Sequence, residues 1–144
     1  MDRALDVDII TPRGTVFQGK AVAVTVPGTV APFQVLYQHA PILSTLEPGV
    51  LKILLSDLTP VYYAIGSGFV EVLHNRVTVL VESIVAGEEI DLQQAAQRLQ
   101  SARAQLNAAQ TRDELRRARQ ELRKAEINFR AAQLARARRQ ISEG

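Results

Sequence analysis

Apolar and polar residues alternate nearly one by one in short runs before residue 87, and beyond it the apolar positions fall three and four apart. A period of two belongs to strands with one buried face, and a period near 3.6 belongs to helices. The punctuation agrees with the pattern, because every glycine and proline except the terminal Gly144 lies at or before Gly87. The chain is therefore read as a compact all-β module followed by a helical arm, with a boundary between 1–86 and 87–144.

Turn signals divide the first part. Strands are predicted over 5–11, 15–17, 21–26, 50–55, 61–65, 69–73 and 77–82. They are separated by Pro12-Arg13-Gly14, Pro27-Gly28, the run from Asp57 to Pro60, Gly66-Ser67-Gly68 and His74-Asn75. Val22, Val24 and Val26 are placed on one face. The stretch 29–47 has the weakest pattern and is read as partly loop. Strands this short and regular indicate a sandwich or a flattened barrel.

In the arm, Leu92, Ala95, Leu99, Ala102, Leu106 and Ala109 form one seam, and Leu115, Ala118, Leu122, Ala125, Phe129 and Ala132 form another. Asp91 with Gln94, and Thr111 with Glu114, read as two capping boxes, which puts a turn at Gln110–Arg112. Half of the seam positions are alanine. Burying a methyl contributes well under the roughly 1.5–3 kcal/mol of a buried leucine, so the two helices are expected to be marginal on their own. With no glycine at the turn, one continuous helix stays open as an alternative.

Composition narrows the function. At 144 residues, 47% hydrophobic and 22% charged, the chain is globular. The absence of cysteine closes thiolate-metal and cysteine-nucleophile chemistry. Apolar runs are strand-sized and Met1-Asp2-Arg3 opens no signal pattern, so a soluble chain is expected. Five basic residues stand against eight acidic ones up to Glu88, a net −3; the rest holds twelve against seven, a net +5. The arm thus carries the basic character. Gly66-Ser67-Gly68 lies between two strand patterns and lacks the spacing of a nucleophile elbow, so a tight turn explains it. No phosphate-cradling glycine loop and no HExxH helix occurs.

The series Gly14-Thr15-Val16-Phe17-x-Gly19, Val24-x-Val26-Pro27-Gly28, His39-Ala40-Pro41-Ile42-Leu43, Pro48-Gly49, Gly66-x-Gly68-Phe69-Val70-Glu71-Val72 and Asn75-x-Val77-Thr78-Val79-Leu80 resembles the epsilon subunit of F-type ATP synthases. The resemblance implies an all-β N-terminal sandwich of about ten strands and a C-terminal α-helical hairpin. It implies a non-catalytic central-stalk subunit, peripheral on the cytoplasmic face of the cell membrane. That subunit packs on gamma and touches the polar loops of the c-ring, with no direct lipid insertion. The arm would reach the beta and alpha subunits when extended and inhibit ATP hydrolysis.

Carried over by position, the ring-facing candidates are Pro32, Tyr37 and His39, and the inhibitory arm candidates are Arg116, Arg119, Arg123 and Lys124. The loop before His39 departs from the family, which commonly has glycines and a Pro-Gly there; Pro32 stands where some relatives have a carboxylate. An ATP motif of some members, Ile/Leu-Asp-x-x-Arg-Ala, is matched here by Ile90, Asp91 and Ala95 but not at its arginine. Gln94 takes the arginine's place and removes a charge-assisted phosphate contact, so no cofactor is expected. Two other classes remain open. A free-standing sandwich scaffold with a coiled-coil arm would self-assemble in gel filtration. A basic-arm nucleic-acid binder lacks a stacking platform, since Phe129 is the arm's one aromatic residue and lies on a seam.

Overall fold

The computed structural model describes residues 3–143, with side chains through residue 137. The chain divides into two compact units, residues 1–85 and 86–144. The first holds strands β1 (Leu5–Thr11), β2 (Gly14–Val26), β3 (Phe33–Leu36), β4 (Ile42–Leu46), β5 (Gly49–Leu55), β6 (Pro60–Ile65), β7 (Gly68–Leu73) and β8 (Arg76–Val81), and β9 (Ile84–Ala86) crosses the boundary.

Hydrogen bonding runs in the order β4-β7-β8-β1-β2-β5-β6-β9, with β3 added beside β2. The 13-residue β2 serves both layers. Its first half pairs with β1, and its second half lies between β3 and β5. All pairings with a described register are antiparallel except β1 with β8, which is parallel. The alternation does what it predicted: Val70 and Val72 of β7, Val77 and Val79 of β8, and Leu51 and Ile53 of β5 are almost completely buried. No buried polar or charged residue occurs among the described residues.

Three details differ from the sequence reading. The segments 15–17 and 21–26 are one strand, because Gly19 stays in the ladder opposite Val7 and the Phe17 ring lies over it, 3.3 Å from where a Cβ would stand. Val22, Val24 and Val26 do not share a face. A bulge between Ala21 and Ala23 inserts one residue, so Val22 is half-buried while Ala23 and Val24 are both buried. Finally, 29–47 contains two strands, β3 and β4. Each has a single strand partner in the sheet, and an edge strand has fewer buried positions to impose a pattern.

The second unit starts with a 3₁₀ turn (Gly87–Glu89) and continues as α1 (Leu92–Ala108) and α2 (Arg112–Glu143). Asp91 caps α1, its Oδ1 accepting from the Gln94 N–H at 3.0 Å. Thr111 Oγ1 accepts from the Glu114 N–H at 3.1 Å, while Glu114 Oε2 accepts from the Gln110 N–H at 2.9 Å, one residue earlier than a standard box predicts. The helix break needs no glycine. Ala109 leaves α1 in an extended conformation, φ −66° and ψ 132°, which rules out the continuous helix. Ala95, Leu99, Ala102, Ala118 and Ala132 are buried as the seams require. The helices are unequal, 17 against 32 residues, so α2 runs past the start of α1 and packs on the 3₁₀ turn.

Candidate functional site

One side of the layer β4-β7-β8-β1 faces the core, and the other carries a row of apolar side chains. Thr45 pairs with Phe69, Phe69 with Leu80, and Leu80 with Ile10, so these residues lie side by side across four strands. Phe69 is 52% exposed and Leu80 47%, and Leu43 beside the row is 72% exposed. The row lines an open groove of about 660 Å³, with Pro12, Leu46 and Gly68 among its walls. Single exposed apolar residues are ordinary, but a contiguous band on one sheet face indicates an interaction surface.

The same face changes character farther along the strands. Asp6 pairs with Lys20 at 2.7 Å, and Asp8 with Arg76 at 2.8 Å. The hydrogen bond from the Lys20 ammonium holds the Asp6 carboxyl below the usual carboxylate range. Each carboxylate has a cationic partner in place, so covering this half with an apolar surface would cost the desolvation of both pairs. The surface therefore has a sticky end and a satisfied end.

Tyr37 and His39 lie in the turn that follows β3. The His39 N–H donates to the Leu36 carbonyl at 3.0 Å, and Gln38 occupies the third position with φ 65°. A third residue at positive φ after a second at negative φ is the pattern of a type II turn. His39 Nδ1 lies 2.7 Å from the Ala40 carbonyl, which can only accept, so Nδ1 is the donor. The His39 ring stacks on Phe33, centroids 6.3 Å apart. Pro32 enters β3 and Tyr37 leaves it, so these two candidates stand at opposite ends of the strand, about 16 Å of backbone apart. A residue the sequence reading treated as a plain turn position belongs to this site. The Gln38 N–H donates to Asn75 Oδ1 at 2.6 Å, across 37 positions of sequence.

On α2, Arg116, Arg119, Arg123 and Lys124 are all exposed. At 100° per residue, the three arginines form one stripe beside the Leu115/Ala118/Leu122 seam, and Lys124 lies farther round. Arg116 approaches Asp113 only to 3.8 Å, with both side chains well solvated, a pair that adds little. Asp91 is used as the α1 cap and Gln94 is exposed beside it. Arg136 was not legible as special. Its Nη1 donates to the Gly87 and Ala132 carbonyls at 3.1 Å each, and its Nη2 to the Ile90 carbonyl at 2.6 Å. Among the described residues, no group of three His, Cys, Asp or Glu side chains could hold a metal, and no helix is long and apolar enough to cross a membrane.

Residues 4–87 match the family described as ATP synthase, Delta/Epsilon chain, beta-sandwich domain. The chain is 40% identical over 96 residues to the ATP synthase epsilon chain of a Nitratiruptor species, covering 67% of this chain and 74% of that one. It is 38% identical over 89 residues to the ATP synthase epsilon chain of Protochlamydia amoebophila, covering 62% of this chain and 60% of that one. A chain in the Euglena gracilis mitochondrial ATP synthase, from an assembly of OSCP, F1 and c-ring, superposes with a TM-score of 0.72 over 94% of this chain and 82% of its own. At 21% identity, that likeness is one of fold.

Proposed function

We propose a role that proceeds from one premise: this chain belongs to the ATP synthase delta/epsilon family. It serves as the non-catalytic epsilon subunit of the central stalk, peripheral on the cytoplasmic face of the membrane, and links gamma to the c-ring. The observation that carries this reading is the exposed row of Phe69, Leu80 and Leu43 on a sheet whose other face is core. We assign that row to gamma and the Tyr37–His39 turn to the polar loops of the ring. A coupler of this kind performs no chemistry; it must be stiff and well anchored at both contacts.

The test is capture of gamma by the purified chain. Leu43→Glu and Phe69→Glu each place a carboxylate in an interface that would be dry, and an unpaired buried charge weakens association by about tenfold or more. Both positions are on the solvent face, so the melting temperature should move little. Binding by both variants equal to that of the unaltered chain would exclude this face, and no capture of gamma by the unaltered chain would remove the reading.

The exposed stripe of Arg116, Arg119 and Arg123 supports a second element of the reading, in which α2 contacts acidic segments of the catalytic head and restrains ATP hydrolysis. Reversing the three arginines to glutamate, or ending the chain after Ala109, should raise hydrolysis several-fold in the assembled complex. Restraint by the unaltered arm should weaken as salt screens the contact. Equal hydrolysis in the shortened and full-length complexes under all nucleotide and salt conditions would remove this part.

A further inference from the structure

We infer that Asn75 is a positioning residue: it fastens the Tyr37–His39 turn to the rigid end of the β7–β8 hairpin. The inference rests on the reading of that turn as the ring-facing surface. Leu73 and Arg76 are paired, with His74 at φ 49° and Asn75 at φ 63° between them, the two left-handed residues of a type I′ turn. Glycine would satisfy such a turn as well as asparagine does. Asparagine adds a side-chain acceptor, and here that acceptor is used at 2.6 Å by the Gln38 N–H.

The anchor is tied on each side. The Asn75 backbone carbonyl accepts from the Asp6 N–H at 2.9 Å, which fixes it to the start of β1. The β7–β8 ladder fixes it through the flanking strands. The Tyr37–His39 turn, in contrast, has one internal backbone hydrogen bond and a left-handed glutamine, a conformation that non-glycine residues adopt at a cost. A surface that transmits force through so weak a turn needs an external support. Asn75 supplies it through one side-chain oxygen, and the stacking of His39 on Phe33 then follows from where the turn is held.

Asn75→Gly keeps the left-handed turn and the backbone bond to Asp6 while removing only the side-chain oxygen. Asn75→Asp keeps an acceptor in the same place. In the full chain, exchange of the Gln38 amide should accelerate about fivefold to tenfold in the glycine variant and return toward normal in the aspartate variant. Exchange at Asp6 should stay unchanged in both. In reconstituted complex, ions pumped per ATP hydrolysed should fall with Asn75→Gly, as with His39→Ala, and hold with Asn75→Asp. Unaltered Gln38 exchange in Asn75→Gly overturns the tie itself. A loosened Gln38 with normal pumping, where His39→Ala does lower pumping, overturns the positioning role and leaves the ring-facing reading intact. Normal pumping in both the His39→Ala and Asn75→Gly complexes removes the ring-facing reading and, with it, the role assigned to Asn75.

Discussion

Replacing Gly68 with alanine is expected to destabilise the sandwich by roughly 3 kcal/mol or more, seen as a fall of about 10 °C or more in the melting temperature of the full chain. A Cβ built on Gly68 would overlap the Leu80 carbonyl oxygen and stand 2.9 Å from both the Leu80 carbonyl carbon and the Val81 Cα. These are backbone atoms of the adjacent strand, so no rotamer change can make room. Relief would require opening β7 from β8 at the Gly68–Val81 pair, and Gly68 also pairs with Leu46 on its other side. The comparison is Gly19→Ala. There the nearest atom is the end of the Phe17 ring at 3.3 Å, which can swing aside, and the loss should stay near or below about 1 kcal/mol. Equal stability of the Gly68→Ala and Gly19→Ala chains would show that the β7–β8 approach is not what requires glycine.

Arg136→Ala should release the far half of α2. Two of the three guanidinium bonds reach carbonyls at Gly87 and Ile90, which ties the late turns of the long helix to the segment that leads into α1. Gly87 opens the 3₁₀ turn and its carbonyl also accepts from the Ile90 N–H at 3.3 Å, whereas the Ile90 carbonyl lies just past the end of the turn, where a cation is stabilised. Hydrogen bonds to a charged group contribute about 1.5–3 kcal/mol each, and the arginine stem adds packing. Against an interface built on Ala118, Ala131, Ala132 and Ala135, that is a large share of what holds the helix down. Amide exchange in the second half of α2 should rise by about tenfold or more in Arg136→Ala. Arg136→Lys should fall between the two, because a single ammonium cannot span both carbonyls in the fixed fork of a guanidinium. Unchanged exchange in the alanine variant would assign the closure to the alanine seam alone.

Both residues were visible in the sequence without their meaning. Gly68 belonged to a Gly-Ser-Gly that read as a turn. Its necessity comes from the distance to a strand that is consecutive in the hairpin yet touches it at the open end, where pattern carries no information. Arg136 was one more arginine in a basic helix, and nothing local distinguishes it from Arg130. The candidate site behaves the same way. His39 was found through a motif and Tyr37 by its place in the loop before it, and the two share a turn, whereas Pro32, placed with them in that loop, enters the other end of β3. Asn75 could have been suspected from one signal: a two-residue hairpin with asparagine where glycine would serve.

The sequence by itself determined the locally encoded features. Alternating valines placed Val70, Val72, Val77 and Val79 in the core, and the three-four spacing placed Ala95, Leu99 and Ala102 on a seam. Asp91 and Thr111 marked both helix starts, and β5 through β8 each begin one residue before the strand predicted for them. Periodicity and capping depend on neighbours within a few positions, so one chain suffices to read them. Only the tertiary structure decided the parallel pairing of β1 with β8, the bulge at Val22, the hold of Asn75 on Gln38 and the clasp of Arg136 on Gly87 and Ile90. Each joins residues far apart in sequence, or shifts a register by one, through contacts worth about 1–3 kcal/mol apiece. The folded chain selects such contacts by their sum, and no single residue announces its share.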